Sequence, residues 1–249
     1  MTRTGPRPGR RALRNAERRA AALARPAVDL TDQIGSPLTD QGPRPTCVPV
    51  SLASTHEAER HADGPEGFQA AIEPVWWHLH TQELTGPEGV RLTDAASALT
   101  STGHCHRDRW PYDTTLGAGT EPPPPAAGNP PWLRARLNLL QLAHDGIEDA
   151  LEDKLAGGHP VVLVLEMTDS FLDPGPDGLV AVPDIRVPSG GYHAVVAVGA
   201  WTDRDRERVL LIRNSWGDWW GAGGHCLLPV GYLINFAVQA ATLEVTGDA

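Results

Sequence analysis

The chain has 249 residues, 41% of them hydrophobic and 21% charged, which suits one large domain or two small ones with a sizeable core and argues against global disorder. Its net charge of −10 is unevenly spread: residues 1–25 carry eight arginines and one acid, Glu17, while the remainder holds 13 basic against 30 acidic residues. An acidic body argues against a nucleic-acid partner, because phosphates would be repelled, and no apolar run is long enough to span a bilayer.

Residues 1–25 read as a basic tail, disordered or weakly helical through Leu13, Ala16, Ala20 and Leu23 and ending before Pro26. A solvated tail is the simpler reading. Contact with an acidic partner, an unknown inhibitor, a membrane surface or the acidic body itself is the alternative. The tail has the arginines of a targeting segment but lacks the apolar stretch that must follow. Three cysteines, Cys47, Cys105 and Cys226, make no disulfide framework. Together these features predict a cytoplasmic protein with no membrane partner.

A globular pattern begins at residue 26 and runs to 249. Helices are predicted over 47–61, 73–82 and 92–102, the last with Asp94 in its first turn. Residues 120–132, TEPPPPAAGNPPW, read as an extended proline-rich connector without a core of its own. Ile147, Leu151 and Leu155 recur at helical spacing until Gly157-Gly158 and Pro160 stop the helix. The period then changes: 161–167, 193–200, 208–214, 224–230 and 237–245 are short apolar or β-branched runs bounded by turn residues. Helices first (about 45–115) and strands second (about 160–245) predict an α+β fold with a mostly antiparallel sheet.

The chemistry centres on TDQGPRPTCVPVS, residues 39–51. A thiol nucleophile needs a base, a group to orient that base, and donors for the oxyanion. Cys47 opens a predicted helix, whose dipole favours thiolate. His193 begins one strand and Asn214 ends another. If those strands are neighbours, the Asn214 amide oxygen holds one imidazole nitrogen while the other faces Cys47. Gln41 supplies an amide donor beside the Cys47 backbone N–H.

These residues resemble the papain-like cysteine peptidases. PLTDQG matches that family's approach to its glutamine, and NSWGDWWG matches its asparagine motif, with Asn214, Trp216 and Trp220 in register. Cys47 and His193 lie 146 residues apart, within the expected ~130–150, and Asn214 lies 167 after Cys47, consistent with a longer intervening loop. GVRLTDAASALTSTGHCHRDRWPYD and LLPVGYL resemble the bacterial branch. The resemblance implies a helical half and a β half with the active site in the cleft between them. It also implies a peptidase acting on peptide or protein substrates without cofactor. Cys47, His193, Asn214 and Gln41 would be catalytic, Trp216 and Trp220 would pack in support of them, and Trp216 would shield the Asn214–His193 bond. Tyr192, Ala194 and Gly89 would border the substrate.

The departures are specific. Arg44 stands where many relatives place a disulfide cysteine, Val48 replaces an aromatic residue, and Pro49 sits early in the helix. The family's inhibitory prosegment is longer than the 25-residue tail, so the resemblance implies an enzyme that is either active as made or restrained by something else. A transpeptidase passing the acyl group to an amine, and a non-catalytic binding module on the same scaffold, are the alternative functions. HCH at 104–106, with His78 and His80, invites a zinc reading. It lacks CxxC or HExxH company, so no metal is expected and Cys105 and Cys226 read as core thiols. Asp113, Asp169 and Asp173 read as solvated loop acids. Gly86, Gly89 and the Gly190-Gly191 pair read either as close-approach positions or as turn residues.

Overall fold

The computed structural model describes residues 20–61, 67–142, 147–184, 191–204 and 207–246. Most of the basic tail, and Gly190, lie outside the described residues. In chain order the elements are β1 (Val28–Asp29), α1 (Cys47–Glu59), α2 (Glu73–Thr81), α3 (Leu92–Ser101), β2 (Ala135–Leu139) and α4 (Ile147–Ala156). Then follow β3 (Val161–Glu166), α5 (Asp169–Leu172), β4 (Tyr192–Thr202), β5 (Arg208–Arg213), β6 (His225–Pro229), α6 (Val230–Phe236) and β7 (Ala237–Val245). The sheet runs β2-β7-β3-β4-β5-β6, with β1 also on β4, and every pairing is antiparallel. No helix among the described residues is long and apolar enough to cross a membrane.

The central strands are apolar at nearly every position because both faces of the sheet are covered. Side chains alternate across a strand, so Val161, Leu163 and Leu165 of β3 enter one core with Leu151, Leu155, Phe171 and Tyr232. Val162 enters the other, with Val48 and Leu52 of α1, Val75 and Leu79 of α2, and Leu92 and Leu99 of α3. Helix α1 lies between this sheet face and the other helices. Residues 48–58 are all buried, well beyond the stripe of Leu52, Ala53 and Ala58 that the sequence suggests.

Burial on all sides obliges the polar residues of α1 to find partners. The Thr55 hydroxyl donates to the Ser51 carbonyl at 2.9 Å. The Glu57 carboxylate accepts from the Ser36 and Ala70 backbone N–H groups at 3.0 and 2.8 Å. His56 meets His104 through their Nδ1 atoms at 2.9 Å. Burial holds the pKa of His56 down at about 3 and that of His104 well below the ordinary range, so the pair is neutral. One ring donates through Nδ1 and the other accepts. His106 packs edge-on against Phe68, and among the described residues no three potential metal ligands lie together.

Arg44 is the centre of a buried ion pair. Its side chain is fully buried, paired with Glu73 at the start of α2 through both guanidinium nitrogens. The remaining donors reach the carbonyls of Gly117 (3.0 Å), Asp113 (2.9 Å) and Gly119 (3.2 Å). Burial would lower the arginine pKa, but the Glu73 hydrogen bond and charge outweigh it and hold it above its ordinary value. The loop before α1 is thus tied to α2 and to the 113–119 segment without a covalent bond.

Several segments differ from the sequence expectation, β1 and α6 among them. Strand β2 was not anticipated: ARLNL has weak alternation and becomes a strand by pairing along β7. The proline-rich connector does contribute to a core, since Ala127 and Trp132 pack with Trp110 and Trp77 and the Trp132 indole donates to the Ala127 carbonyl at 2.7 Å. Asp169 is the first residue of α5 rather than a loop acid. The Thr168 hydroxyl caps that helix by accepting from the Phe171 N–H.

Replacing Glu73 by Gln leaves the Arg44 charge buried and unpaired. It should lower the free energy of unfolding by about 3–5 kcal/mol, read by urea denaturation; a loss under about 1 kcal/mol, the range of exposed ion pairs, would show that the pair does not brace the loop. The buried histidines make stability fall with acid. Unfolded histidine protonates below about pH 6.5, whereas His56 and His104 stay neutral in the fold. Each therefore costs about 1.4 kcal/mol per pH unit below that point. Replacing both by leucine should flatten the decline between pH 6.5 and 5 in thermal melts; an unchanged slope would locate the acid sensitivity elsewhere.

Candidate active site

The residues from Thr39 to Cys47 form a tight loop. The Gln41 N–H donates to the Ser215 carbonyl at 2.8 Å and the Thr46 N–H donates to the Arg44 carbonyl at 2.9 Å. The Gln41 side chain is nearly buried. Its Nε2 donates to the Arg44 carbonyl at 2.7 Å, and its Oε1 accepts from the Ser215 hydroxyl at 2.5 Å. The Arg44 carbonyl can only accept, so the amide orientation is fixed, with –NH₂ on the loop side.

Cys47 is the first residue of α1, and its backbone N–H belongs to the helix's unpaired first turn. The thiol lies against the backbone of Ala194, the residue after His193. Burial of α1 against β3 and β4 brings that about: Val48 and Leu52 share a core with Val162 and Ala194, and the end of the helix emerges beside His193.

His193 is the second residue of β4, and Asn214 follows the last residue of β5, the antiparallel neighbour of β4. The His193 Nε2 donates to Asn214 Oδ1 at 2.7 Å, and the same oxygen accepts the Ser215 N–H at 2.8 Å. Two donors on one atom identify it as the oxygen, so Nε2 carries the proton and Nδ1 is free as a base. Trp216 stacks on the imidazole, centroids 4.5 Å apart, and Trp220 meets Trp216 edge-on at 5.4 Å. Phe171 was not singled out in the sequence, yet it contacts His193, Trp216, Trp220 and Tyr232. Nothing marks it beforehand, because α5 is a single short turn between strands. Trp219 is 71% exposed, its indole donating to Asp40 Oδ2 at 3.4 Å.

Burial opposes charge on Cys47 and on His193 taken singly. It pushes the Cys47 thiol above its ordinary value, against smaller opposing contributions from backbone hydrogen bonds. It lowers His193 to about 4, with the Asn214 hydrogen bond acting in the other direction. The helix-dipole effect expected for Cys47 is therefore outweighed by desolvation. A buried charge on either group is tolerated only with an opposite charge formed beside it.

Cys47 and His193 share a cleft of about 770 Å³. Val48, Val164 and Val238 supply apolar lining, and Glu83, Glu88 and Arg91 are among its charged residues. Tyr192 and Ala194 both line it, Tyr192 with 63% exposure and Ala194 nearly buried. Gly89 also lines it, in a left-handed conformation (φ 100°). A Cβ there would lie 2.8 Å from the Pro45 carbonyl oxygen, so the turn Gly86–Gly89 can approach the Thr39–Cys47 loop only with glycine at position 89.

A model of the papain family cysteine proteases matches residues 83–239, which include His193 and Asn214. An uncharacterised peptidase C1-like protein of Acanthamoeba polyphaga mimivirus is 27% identical over 207 residues, 79% of this chain and 65% of the viral protein. The chain thus spans just under two thirds of that relative's length. Among solved structures, xylellain, a cysteine protease from Xylella fastidiosa, superposes with a TM-score of 0.70 at 25% identity, covering 91% of this chain and 89% of its own. A Carica candamarcensis cysteine protease, solved in complex with E-64, shares the fold with a TM-score of 0.67 at 19% identity, covering 89% of this chain and 99% of its own. With more than half of its length matched by the family model, and the same α+β architecture in its structural neighbours, the chain belongs to the papain family of cysteine proteases.

Proposed function

We propose that the protein is a cysteine peptidase that hydrolyses peptide bonds through Cys47, His193, Asn214 and Gln41. The observation that carries this reading is the Nε2–Asn214 hydrogen bond, which commits one imidazole nitrogen and leaves Nδ1 as a base in the cleft that Cys47 lines. The thiol proton passes to His193 Nδ1 as sulfur attacks the substrate carbonyl. The tetrahedral oxyanion is held by the Gln41 amide and the Cys47 backbone N–H. The C–N bond breaks, His193 returns its proton to the leaving amine, and the acyl group remains on sulfur as a thioester. His193 then takes a proton from water, which attacks the thioester, and collapse of the second tetrahedral intermediate releases the acid and the thiol. Trp216 covers the His193–Asn214 bond and keeps water from competing for it.

Cys47→Ala should fold with an unchanged melting temperature and lose both peptide hydrolysis and labelling by an epoxysuccinyl probe. Retained hydrolysis would overturn the mechanism. The pH dependence of kcat/KM should be bell-shaped. Activity is lost when the thiol–imidazole pair gains a second proton, with an acid limb near pH 4 set by the lowered His193. It is lost again when the pair surrenders its last proton, with an alkaline limb above the ordinary thiol range. An acid limb near pH 6.5 would show that the imidazole titrates as a solvated group.

A further inference from the structure

We infer that Tyr112 is a positioning residue for the oxyanion-binding loop, holding it through a hydroxyl bridge between Gln41 and Thr46; this rests on the peptidase reading above. The phenol oxygen lies 3.1 Å from the Gln41 carbonyl and 2.6 Å from the Thr46 hydroxyl. A carbonyl cannot donate, so the single phenol proton goes to Gln41 and the Thr46 hydroxyl donates to Tyr112. Burial raises the phenol pKa, which keeps that donor protonated.

The bridge accounts for an irregular helix start. Thr46 is the N-cap of α1, where a threonine ordinarily accepts a backbone N–H of the first turn. Here it makes no such bond, and its backbone (φ −109°, ψ 19°) is not extended. Pro49, the third residue of the helix, has no N–H to offer, so the hydroxyl turns to Tyr112 and takes no first-turn N–H. The Cys47 N–H, at the first helical position, is not one that an N-cap side chain takes and can meet an oxyanion. The two donors assigned to the oxyanion therefore flank one bridge: Gln41 is held by its own carbonyl, and Cys47 follows the residue held by its hydroxyl.

Behind the bridge stands the buried ion pair. The Arg44 guanidinium lies over the Tyr112 ring, 4.6 Å from its centre, and donates to the carbonyl of the next residue, Asp113, at 2.9 Å. The Arg44 carbonyl in turn accepts from both Gln41 Nε2 and the Thr46 N–H. Tyr112 touches no reacting atom; it acts through the two residues it holds.

The test uses Tyr112→Phe in the full chain, with the fluorogenic peptide amide that the wild type turns over best. Because an oxyanion donor is displaced rather than deleted, kcat should fall about tenfold, less than the ~10²–10³ lost on removing a donor, while KM stays within about twofold. Alkylation of Cys47 by iodoacetamide should keep its rate, since displacement of iodide develops no oxyanion. In a Gln41→Ala background the same substitution should cost less than about threefold, because the two act as a unit. Thr46→Val should reproduce the pattern from the other end of the bridge, and Thr46→Ser should restore kcat. An unchanged kcat in Tyr112→Phe and Thr46→Val, losses that multiply with Gln41→Ala, or alkylation falling in step with kcat would overturn the inference. If Gln41→Ala is itself silent, the oxyanion assignment fails; if Cys47→Ala still hydrolyses or the wild type turns over no peptide, the peptidase reading fails and this inference with it.

Discussion

The burial of α1 on every side is the constraint from which the site follows. A helix enclosed by the sheet on one side and by α2 and α3 on the other can meet solvent only near its ends, and Cys47 is its first residue. The sheet that covers it also carries His193 on β4 and, one strand over, Asn214 at the end of β5. Three residues far apart in the chain are therefore brought together by packing of apolar surface, and the polar contacts among them only refine their positions. The close packing of a core is stiff enough for this, since voids and shifts are costly.

The same burial sets the electrostatics. A low dielectric makes an isolated thiolate or imidazolium unfavourable, which is why both groups move toward neutrality when considered one at a time. It also strengthens each well-formed hydrogen bond, and the His193–Asn214 contact lies beside the stacked Trp216, which Phe171 meets in turn. Arg44 and Glu73 satisfy this requirement with all five guanidinium donors engaged, a completeness that a buried charge needs to be tolerated. A disulfide would tie the loop at one covalent point, whereas this pair ties it to a helix, a turn and an aromatic ring together.

The irregularities in the nucleophile segment form one arrangement. Arg44 forms a buried ion pair with Glu73, Pro49 withdraws the N–H that a capping threonine would take, and Thr46 turns its hydroxyl to Tyr112. Each looks like a lapse from a pattern when read along the chain. In three dimensions they share partners, and all of them bear on the short stretch that carries Gln41 and the start of α1.

Local order was legible from the residues. Short apolar runs bounded by turn residues marked β3 to β7, helical spacing marked α4, and DQG, Cys47, HAV and NSWG stood out as candidate site residues at spacings that few chains share. These signals depend on neighbours a few positions away, and so survive without knowledge of the fold. What only the tertiary structure decided is which residues face each other. Phe171 sits at the hub of the aromatic cluster although it lies on a single helical turn. ARLNL becomes a strand because β7 pairs with it, and the connector joins a core because Trp110 and Trp77 are there to receive it. Arg44 finds Glu73 29 residues away and Tyr112 finds Gln41 71 residues away. Periodicity records which face of an element is apolar, but a hydrogen bond or ion pair between distant segments leaves no periodic trace, so those partners are settled only when the chain closes on itself.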